Sequence, residues 1–258
     1  MANEAQYGIY PSLRGKAVIV TGGASGIGEA FVAAFAAQGA RVGFLDLQQE
    51  AGEQLADRVA ATGAPPPVFL PCDLTDIAAL QAAAEQMMHT LGSVDVLVNN
   101  ASNDTRHAIE EVTPELWDRT IAVNLKHQFF MTAAVLPTMR AAQRGSIINM
   151  SSISWMIPSV GMPVYITAKA AIVGMTRTLA HEVGEDNIRV NCVLPGAIMT
   201  ERQQRLWFNE DYKRKILSAQ ALKRLIEPEE VARLVLFLAA DDSASITSQS
   251  YILDGGWM

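Results

Sequence analysis

The chain has 258 residues, half of them hydrophobic and only 7% aromatic, which bounds it to one large globular domain able to bury a substantial core. A net charge of −7, with no dense run of Lys or Arg, argues against nucleic acid or an anionic membrane surface as a partner. Cys72 and Cys192 sit at strand-like positions without metal-ligand spacing, Met1 to Leu13 lacks a signal pattern, and no apolar run approaches a membrane span; a cytoplasmic protein with free buried thiols and no metal is expected.

The β-branched run Ala17 to Thr21 predicts a strand that breaks into Gly22-Gly-Ala-Ser-Gly-Ile-Gly28 before an Ala-rich helix to about Gln38. Glycines there let the backbone turn sharply and approach a pyrophosphate at the helix N-terminus, where free N–H groups and the dipole favour anions. The spacing departs from the common G-x-G-x-x-G; its place in the first β-turn-α unit points to a dinucleotide. Arg41 to Asp46 predicts the second strand. Asp46 ends it, eighteen residues past Gly28, where a carboxylate accepts hydrogen bonds from both adenosine ribose hydroxyls. The next residues, Leu47 and Gln48, are not basic, so NAD is expected over NADP.

A helix from Gln48 to Ala61, a stiff loop at Pro65-Pro66-Pro67, a strand from Val68 to Leu70 and a helix from Ile77 to Leu91 follow. Asp73-Leu74, past that third strand, is placed to reach adenine. Val94 to Asn99 predicts the fourth strand, and Asn99-Asn100-Ala101 at its end is expected to line the adenosine side. A long helix is expected from Pro114 to Ala142, kinked or restarted at Pro137. Strands at Gly145 to Asn149 and Arg189 to Leu194 flank the helix that carries Tyr165 and Lys169. The last helix opens at Glu227-Pro228, and Ser250 to Leu253 closes the chain as a strand. Seven strands alternating with helices predict a single α/β domain over residues 1–258, a doubly wound parallel sheet with ligands at the carboxyl ends of its strands. Residues 196–225 break the alternation and mix Trp207, Phe208 and Tyr212 with many charges; a substrate lid and a surface helix pair packing its aromatics on the body are both expected readings, and they are compatible.

Tyr165 and Lys169 are four residues apart and so share one face of a helix. An ammonium beside a phenol favours the phenolate, and bringing a Tyr pKa from about 10 to about 7 takes on the order of 4 kcal/mol. A Lys plus one further positive charge in a dry site is expected to supply that, which makes Tyr165 a general base.

Thr21-Gly-Gly-Ala-Ser-Gly-Ile-Gly28, Asn99-Asn-Ala101, Asn124, Ser152, Tyr165-x-x-x-Lys169 and Pro195-Gly196 occur in this order across the chain, and together they resemble the short-chain dehydrogenase/reductase family. The resemblance implies a Rossmann-like domain with helices on both faces of the sheet, assembled as a homotetramer. It implies Tyr165 as base, Lys169 on the nicotinamide ribose, Ser152 orienting the substrate oxygen and Asn124 holding a proton-relay water. It also implies cofactor contacts at Gly22, Ser25, Gly26, Ile27, Gly28, Asp46, Leu47, Asp73, Leu74, Asn100, Ala101, Tyr165, Lys169, Pro195, Gly196 and Ile198. Ser102 stands where the family usually has Gly, and is expected to affect only the pocket floor.

Polar residues surround that core: Asn103, Asp104, Arg106 and His107 after the fourth strand, Ser154 and Trp155 after Ser152, Arg202 and Gln203 in the lid. Amides, carboxylate, guanidinium and a flat ring suit a polyhydroxylated ligand better than an acyl chain. Asn103 to His107, Ser152 to Trp155 and Thr200 to Gln203, with the opening Tyr10-Pro-Ser-Leu, look like the aldose 1-dehydrogenase branch of the family, of the D-xylose type. That branch oxidises the C1 hydroxyl of a sugar to a lactone. Asn103, Asp104, Ser152, Ser154, Trp155, Tyr165 and Gln203 are then the expected substrate contacts. Arg106 and His107 have a simpler reading, capping the next helix or pairing with Glu110 and Glu111. Trp257 is expected at a subunit interface. A carbonyl reductase or alcohol dehydrogenase with a less polar substrate, and a dinucleotide sensor without turnover, are the competing readings.

Overall fold

The computed structural model describes residues 7–207 and 209–258. All seven expected strands form: β1 (Ala17–Thr21), β2 (Arg41–Asp46), β3 (Val68–Pro71), β4 (Val96–Asn99), β5 (Gly145–Met150), β6 (Ile188–Pro195) and β7 (Ser250–Leu253). They pair in parallel in the order β3-β2-β1-β4-β5-β6-β7. The chain winds outward from β1 to β3, then returns to lay β4 on the other side of β1. The crevice at the carboxyl ends of β1 and β4 is therefore the switch point at which such sheets bind ligands.

Helices cover both faces because the central strands are apolar on both sides. In β1, Val18 and Val20 join a core with Phe31 and Phe35 of α1 (Gly26–Ala37) and Val231 and Val235 of α9 (Pro228–Ala239). Ala17 and Ile19 point the other way, to Leu80 and Met87 of α3 (Ile77–Leu91), Met131 and Val135 of α5 (His127–Ala142) and Leu179 of α6 (Pro163–Glu182). This is the two-residue period of a strand read out as two cores. The helix α2 (Gln49–Ala60) packs Leu55 and Val59 onto the α1 side.

The long helix expected from Pro114 to Ala142 is divided, but not at Pro137. It runs as α4 (Pro114–Ile121), a wider π-type turn over Ala122–Lys126, and α5, which passes through Pro137. The division falls on Asn124, whose Nδ2 donates to the Thr120 carbonyl at 2.9 Å. A side-chain amide thus supplies, one turn back, the bond that a widened backbone turn gives up.

The insertion after β6 folds as two short helices, α7 (Glu201–Leu206) and α8 (Glu210–Ala219), capped by Thr200 and Asn209 side chains. Phe208, expected among its aromatics, lies outside the described residues, as do Met1 to Gln6. Among the described residues no helix is long and apolar enough to cross a membrane.

Candidate active site

At the end of β1 the glycine turn is held by the end of β4. The Asn100 Nδ2 donates to the carbonyls of Thr21 at 3.1 Å and Gly22 at 2.8 Å. Gly22 has φ +66°, and a Cβ on it would lie 2.6 Å from the Ala101 Cα. A Cβ on Gly28 would sit 1.8 Å from the Gly22 carbonyl oxygen, so both glycines are required by the backbone they touch. Asn100 and Ala101 therefore shape the turn. Asn99, expected beside the adenosine, is fully buried, and its Nδ2 instead reaches Asn149 Oδ1 at 2.9 Å and Thr132 Oγ1 at 3.1 Å, tying β4 to β5 and α5.

Asp46 is buried at the end of β2, where Oδ2 accepts from the Ala24 N–H at 2.9 Å and Oδ1 from the Gln48 N–H at 3.0 Å. It fixes the glycine turn from the other side. Leu47 is exposed beside it, and Leu74 is buried beyond β3. Asp73 is exposed and accepts from the N–H and hydroxyl of Thr75, bonds that hold its carboxyl below the usual range. Ser25, Gly26 and Ile27 open α1, whose first turn receives no side-chain cap. Pro195, Gly196 and Ile198 bring the chain past the end of β6 to Thr200, whose Cγ2 is 3.3 Å from where a Gly26 Cβ would stand.

Tyr165 lies in the first turns of α6, partly buried, with the Lys169 Nζ 5.4 Å from its ring centre. Lys169 is almost wholly buried, and its Nζ donates to the Met150 carbonyl at 3.0 Å. Burial lowers its pKa to about 8, so the ammonium is still charged at neutral pH. Ser152, just past β5, accepts from the Ser154 N–H at 3.1 Å and faces the phenol.

The expected lowering of the Tyr165 pKa does not arise from the protein's own groups. Burial, and then the Asp104 carboxylate, push it up to about 12, against the Ser152 and Ser102 hydroxyls, which favour the phenolate. Desolvation of the anion outweighs the hydroxyls that face it. Ser102 thus acts on the phenol itself, beyond the pocket floor to which the sequence assigned it.

Asn124 is fully buried and holds the backbone of Asn103 from both sides: its Oδ1 accepts from the Asn103 N–H at 2.9 Å and its Nδ2 donates to the Asn103 carbonyl at 3.0 Å. With Thr120 on the other amide hydrogen, both side-chain donors are spent. The side chain fixes the β4–α4 loop.

Three expected substrate contacts, Asn103, Asp104 and Gln203, are tied into one network with Arg202. Arg202 Nε donates to Asp104 Oδ1 at 3.2 Å, Gln203 Nε2 to Asp104 Oδ2 at 2.7 Å, and Arg202 Nη2 to Asn103 Oδ1 at 3.3 Å. Asn103 Oδ1 also accepts from the Thr105 N–H and hydroxyl. Arg106 stacks 4.3 Å from the Trp207 ring centre, while the His107 Nδ1 meets the Thr105 carbonyl at 3.1 Å and the His107 backbone N–H donates to the Gly161 carbonyl at 2.8 Å. Neither residue pairs with Glu110 or Glu111 among the described ion pairs. Ser154 Oγ, Trp155 Nε1, Trp207 Nε1 and His107 Nε2 are buried polar atoms without a protein partner. Trp155 and Trp257 pack on a small core of Ile153, Ile172, Cys192 and Leu194 beneath the site.

Residues 22–258 match the family model described as Enoyl-(Acyl carrier protein) reductase. The chain is 49% identical over 250 residues to the D-xylose 1-dehydrogenase of Caulobacter vibrioides, covering 96% of this chain and 98% of the relative. It is also 49% identical to a Rhizobium meliloti protein named "Probable galactose dehydrogenase GalD", with 96% of each chain covered. A mutant of a Serratia marcescens short-chain dehydrogenase/reductase superposes with a TM-score of 0.88 at 33% identity, over 95% of this chain and 99% of that one. The chain belongs to the short-chain dehydrogenase/reductase family.

Dehydrogenases of the short-chain dehydrogenase/reductase family use a nicotinamide cofactor, and the residues here fit one. The uncapped first turn of α1 offers N–H groups to a pyrophosphate, Asp46 is acceptor-only, and the buried Lys169 ammonium has donors beyond the one that Met150 takes. Sequence spacing did not reveal the Met150 carbonyl, which also accepts from Gln128 Nε2 at 3.3 Å, or Ser151, whose hydroxyl donates to the Lys169 carbonyl at 2.6 Å. A backbone carbonyl leaves no trace in side-chain identity, but Gln128 lies one helical step of four past Asn124 and was findable by that spacing.

Proposed function

We propose that this protein is an NAD-dependent sugar 1-dehydrogenase of the cytoplasm, oxidising the C1 hydroxyl of an aldose, a pentose or a close relative, to the lactone. The observation that carries the reading is the convergence of Ser152, Tyr165 and Lys169 beneath a rim of amides, carboxylate and guanidinium. Relatives named for D-xylose and galactose support the substrate class. The buried unpartnered polar atoms of Ser154, Trp207 and His107 around that convergence suit a ligand that carries a hydroxyl on each carbon.

Bound nicotinamide supplies the hydride acceptor and a positive ring charge. Ser152 donates to the sugar oxygen and orients it toward the phenol. Tyr165, as phenolate, takes the C1 hydroxyl proton while the C1–H bond gives up its hydride and the C1 carbonyl forms. Lys169 stays cationic beside the phenol and holds the ribose. The protein alone holds Tyr165 protonated, so the phenolate belongs to the cofactor-loaded enzyme and turnover rises with pH. Asp46 reads the adenosine ribose and disfavours a 2′-phosphate.

An NADH-formation screen over aldopentoses, deoxyhexoses and hexoses, with simple secondary alcohols as controls, tests the substrate class; turnover of the controls alone would reject it. The Tyr165→Phe variant is expected to lose at least about a hundredfold in kcat with NAD binding retained, the usual contribution of a general base. Unchanged turnover in that variant would remove Tyr165 from the chemistry.

A further inference from the structure

Both ends of the insertion after β6 are tied to one buried carboxylate. Asp254, just past β7, is 5% exposed, and each of its oxygens accepts from a backbone N–H, Oδ1 from Gly256 at 2.8 Å and Oδ2 from Met258 at 2.9 Å. Those bonds fold residues 254–258 into a turn in which Gly255 and Gly256 take φ +69° and +80°. The turn presents its carbonyls to the end of α8: Gly256 accepts from the Ala221 N–H at 3.0 Å and Gly255 from the Leu222 N–H at 2.8 Å. Beside them the Asp254 carbonyl accepts from Nε2 of the fully buried Gln220 at 3.0 Å. At the other end of the insertion the Gly196 N–H donates to the Leu253 carbonyl at 2.9 Å, and a Cβ on Gly196 would stand 2.8 Å from that of Asp254. Trp257, between the two residues that the carboxylate holds, packs on the small core that contains Ile153, the neighbour of Ser152.

We propose that Asp254 is a positioning residue for sugar binding: its carboxylate sets the turn that fixes both ends of the insertion, and so places Arg202 and Gln203 against the β4–α4 loop. The proposal rests on the reading of that loop and Gln203 as the sugar side of the site. From Gly196 the path to the rim is continuous. Ile198 bridges Ile226, the Met199 N–H donates to the Ile226 carbonyl at 2.9 Å, and Thr200 then caps α7, whose Arg202 and Gln203 meet Asp104. With six residues in α7 and ten in α8, neither helix is long enough to hold its place by its own backbone bonds, so the anchors at their ends decide where they lie. Bonds from backbone N–H groups to a carboxylate are stronger than those to a neutral acceptor, which suits Asp254 to that task. Among the described hydrogen bonds none joins residues 254–258 to the glycine turn, Asp46, Tyr165 or Lys169. Loss of the turn is therefore expected to reach sugar binding before it reaches the dinucleotide or the chemistry.

Asp254→Asn keeps the shape of the side chain but sets an amide donor against one backbone N–H. It is expected to raise KM for D-xylose about fivefold to tenfold, with kcat within about twofold and the Kd for NAD near that of the parent. Gly256→Ala attacks the same turn from the other side, because its Cβ would stand 2.7 Å from that of Ala221. The same split is expected there, with the double variant no worse than the more severe single one. Met258→Pro removes only the N–H that Oδ2 accepts, at an exposed residue, and gives a smaller shift in the same direction even if the other two variants fail to fold. Amide exchange without sugar or cofactor reads the placement directly: Ala221, Leu222 and α7 are expected to lose protection in the variants while β1 and β2 keep theirs. A lowered Tm with KM for sugar unchanged, or protection lost evenly across the sheet, would overturn the proposal. If the parent does not oxidise D-xylose, the function reading fails, while exchange over residues 199–222 still decides whether Asp254 places the insertion.

Discussion

Lys169 carries the largest unbalanced cost in the site. It is a charged side chain at 1% exposure, and the one bond that its ammonium donates among the described residues goes to the Met150 carbonyl. Removing a buried charge in favour of an apolar chain of similar length is often neutral or stabilising. Lys169→Met is therefore expected to lose turnover while keeping or raising the urea midpoint. His127 tests burial at acid pH. It is fully buried, and burial, then Lys169, push its pKa from 6.5 down to about 3 against the smaller opposing pull of the Val123 and Ala122 backbone. Between those values the unfolded chain binds the extra proton, so stability falls as pH drops through the window, by about 1.4 kcal/mol per unit. His127→Asn is expected to flatten that decline in urea titrations between pH 6.5 and about 4. The Tyr165–Lys169 pair was legible because helical spacing fixes which side chains share a face. The carboxylate that opposes it was not, since Asp104 reaches Tyr165 across sixty-one residues of chain and no periodicity links them.

At the scale of elements, the divided helix was anticipated from the wrong residue. Proline draws attention because it lacks an N–H, yet α5 continues through Pro137, and the turn widens at Asn124, an ordinary residue by propensity. What distinguishes Asn124 is a side-chain amide that satisfies Thr120 within the helix and Asn103 outside it, a tertiary fact. Asn124→Leu is expected to leave the backbone groups of Asn103 and the carbonyl of Thr120 short of partners, at about 1–3 kcal/mol for each one that stays buried. Its expected functional signature is a raised KM for sugar with a smaller change in KM for NAD, because on the proposed reading the loop it loses lines the substrate. The strands were legible almost to the residue. Apolar runs of four to eight residues between glycine turns leave little choice of boundary in a sheet buried on both faces.

For the whole molecule, alternation of strands and helices pointed to a parallel, doubly wound sheet; the order that returns β4 to the free side of β1 is a finding of the structure, because alternating crossovers are compatible with more than one order. The sequence did not show how tightly the seam between the halves is clamped. Asn100 bonds two carbonyls of the glycine turn, and Gly28 leaves no room for a single carbon there. Gly28→Ala is expected to abolish the rise in Tm that saturating NAD gives, or to leave the chain insoluble. An unchanged thermal shift would show that the turn can give way. The insertion read as a substrate lid begins on that same seam: Thr200, the residue that caps α7, rests against Gly26. On that reading, whatever occupies the glycine turn lies beneath the start of the cover over the sugar. Arrival and departure are then expected to be ordered, with the dinucleotide first in and last out. Steady-state inhibition is then expected to show NADH competing with NAD, while lactone does not.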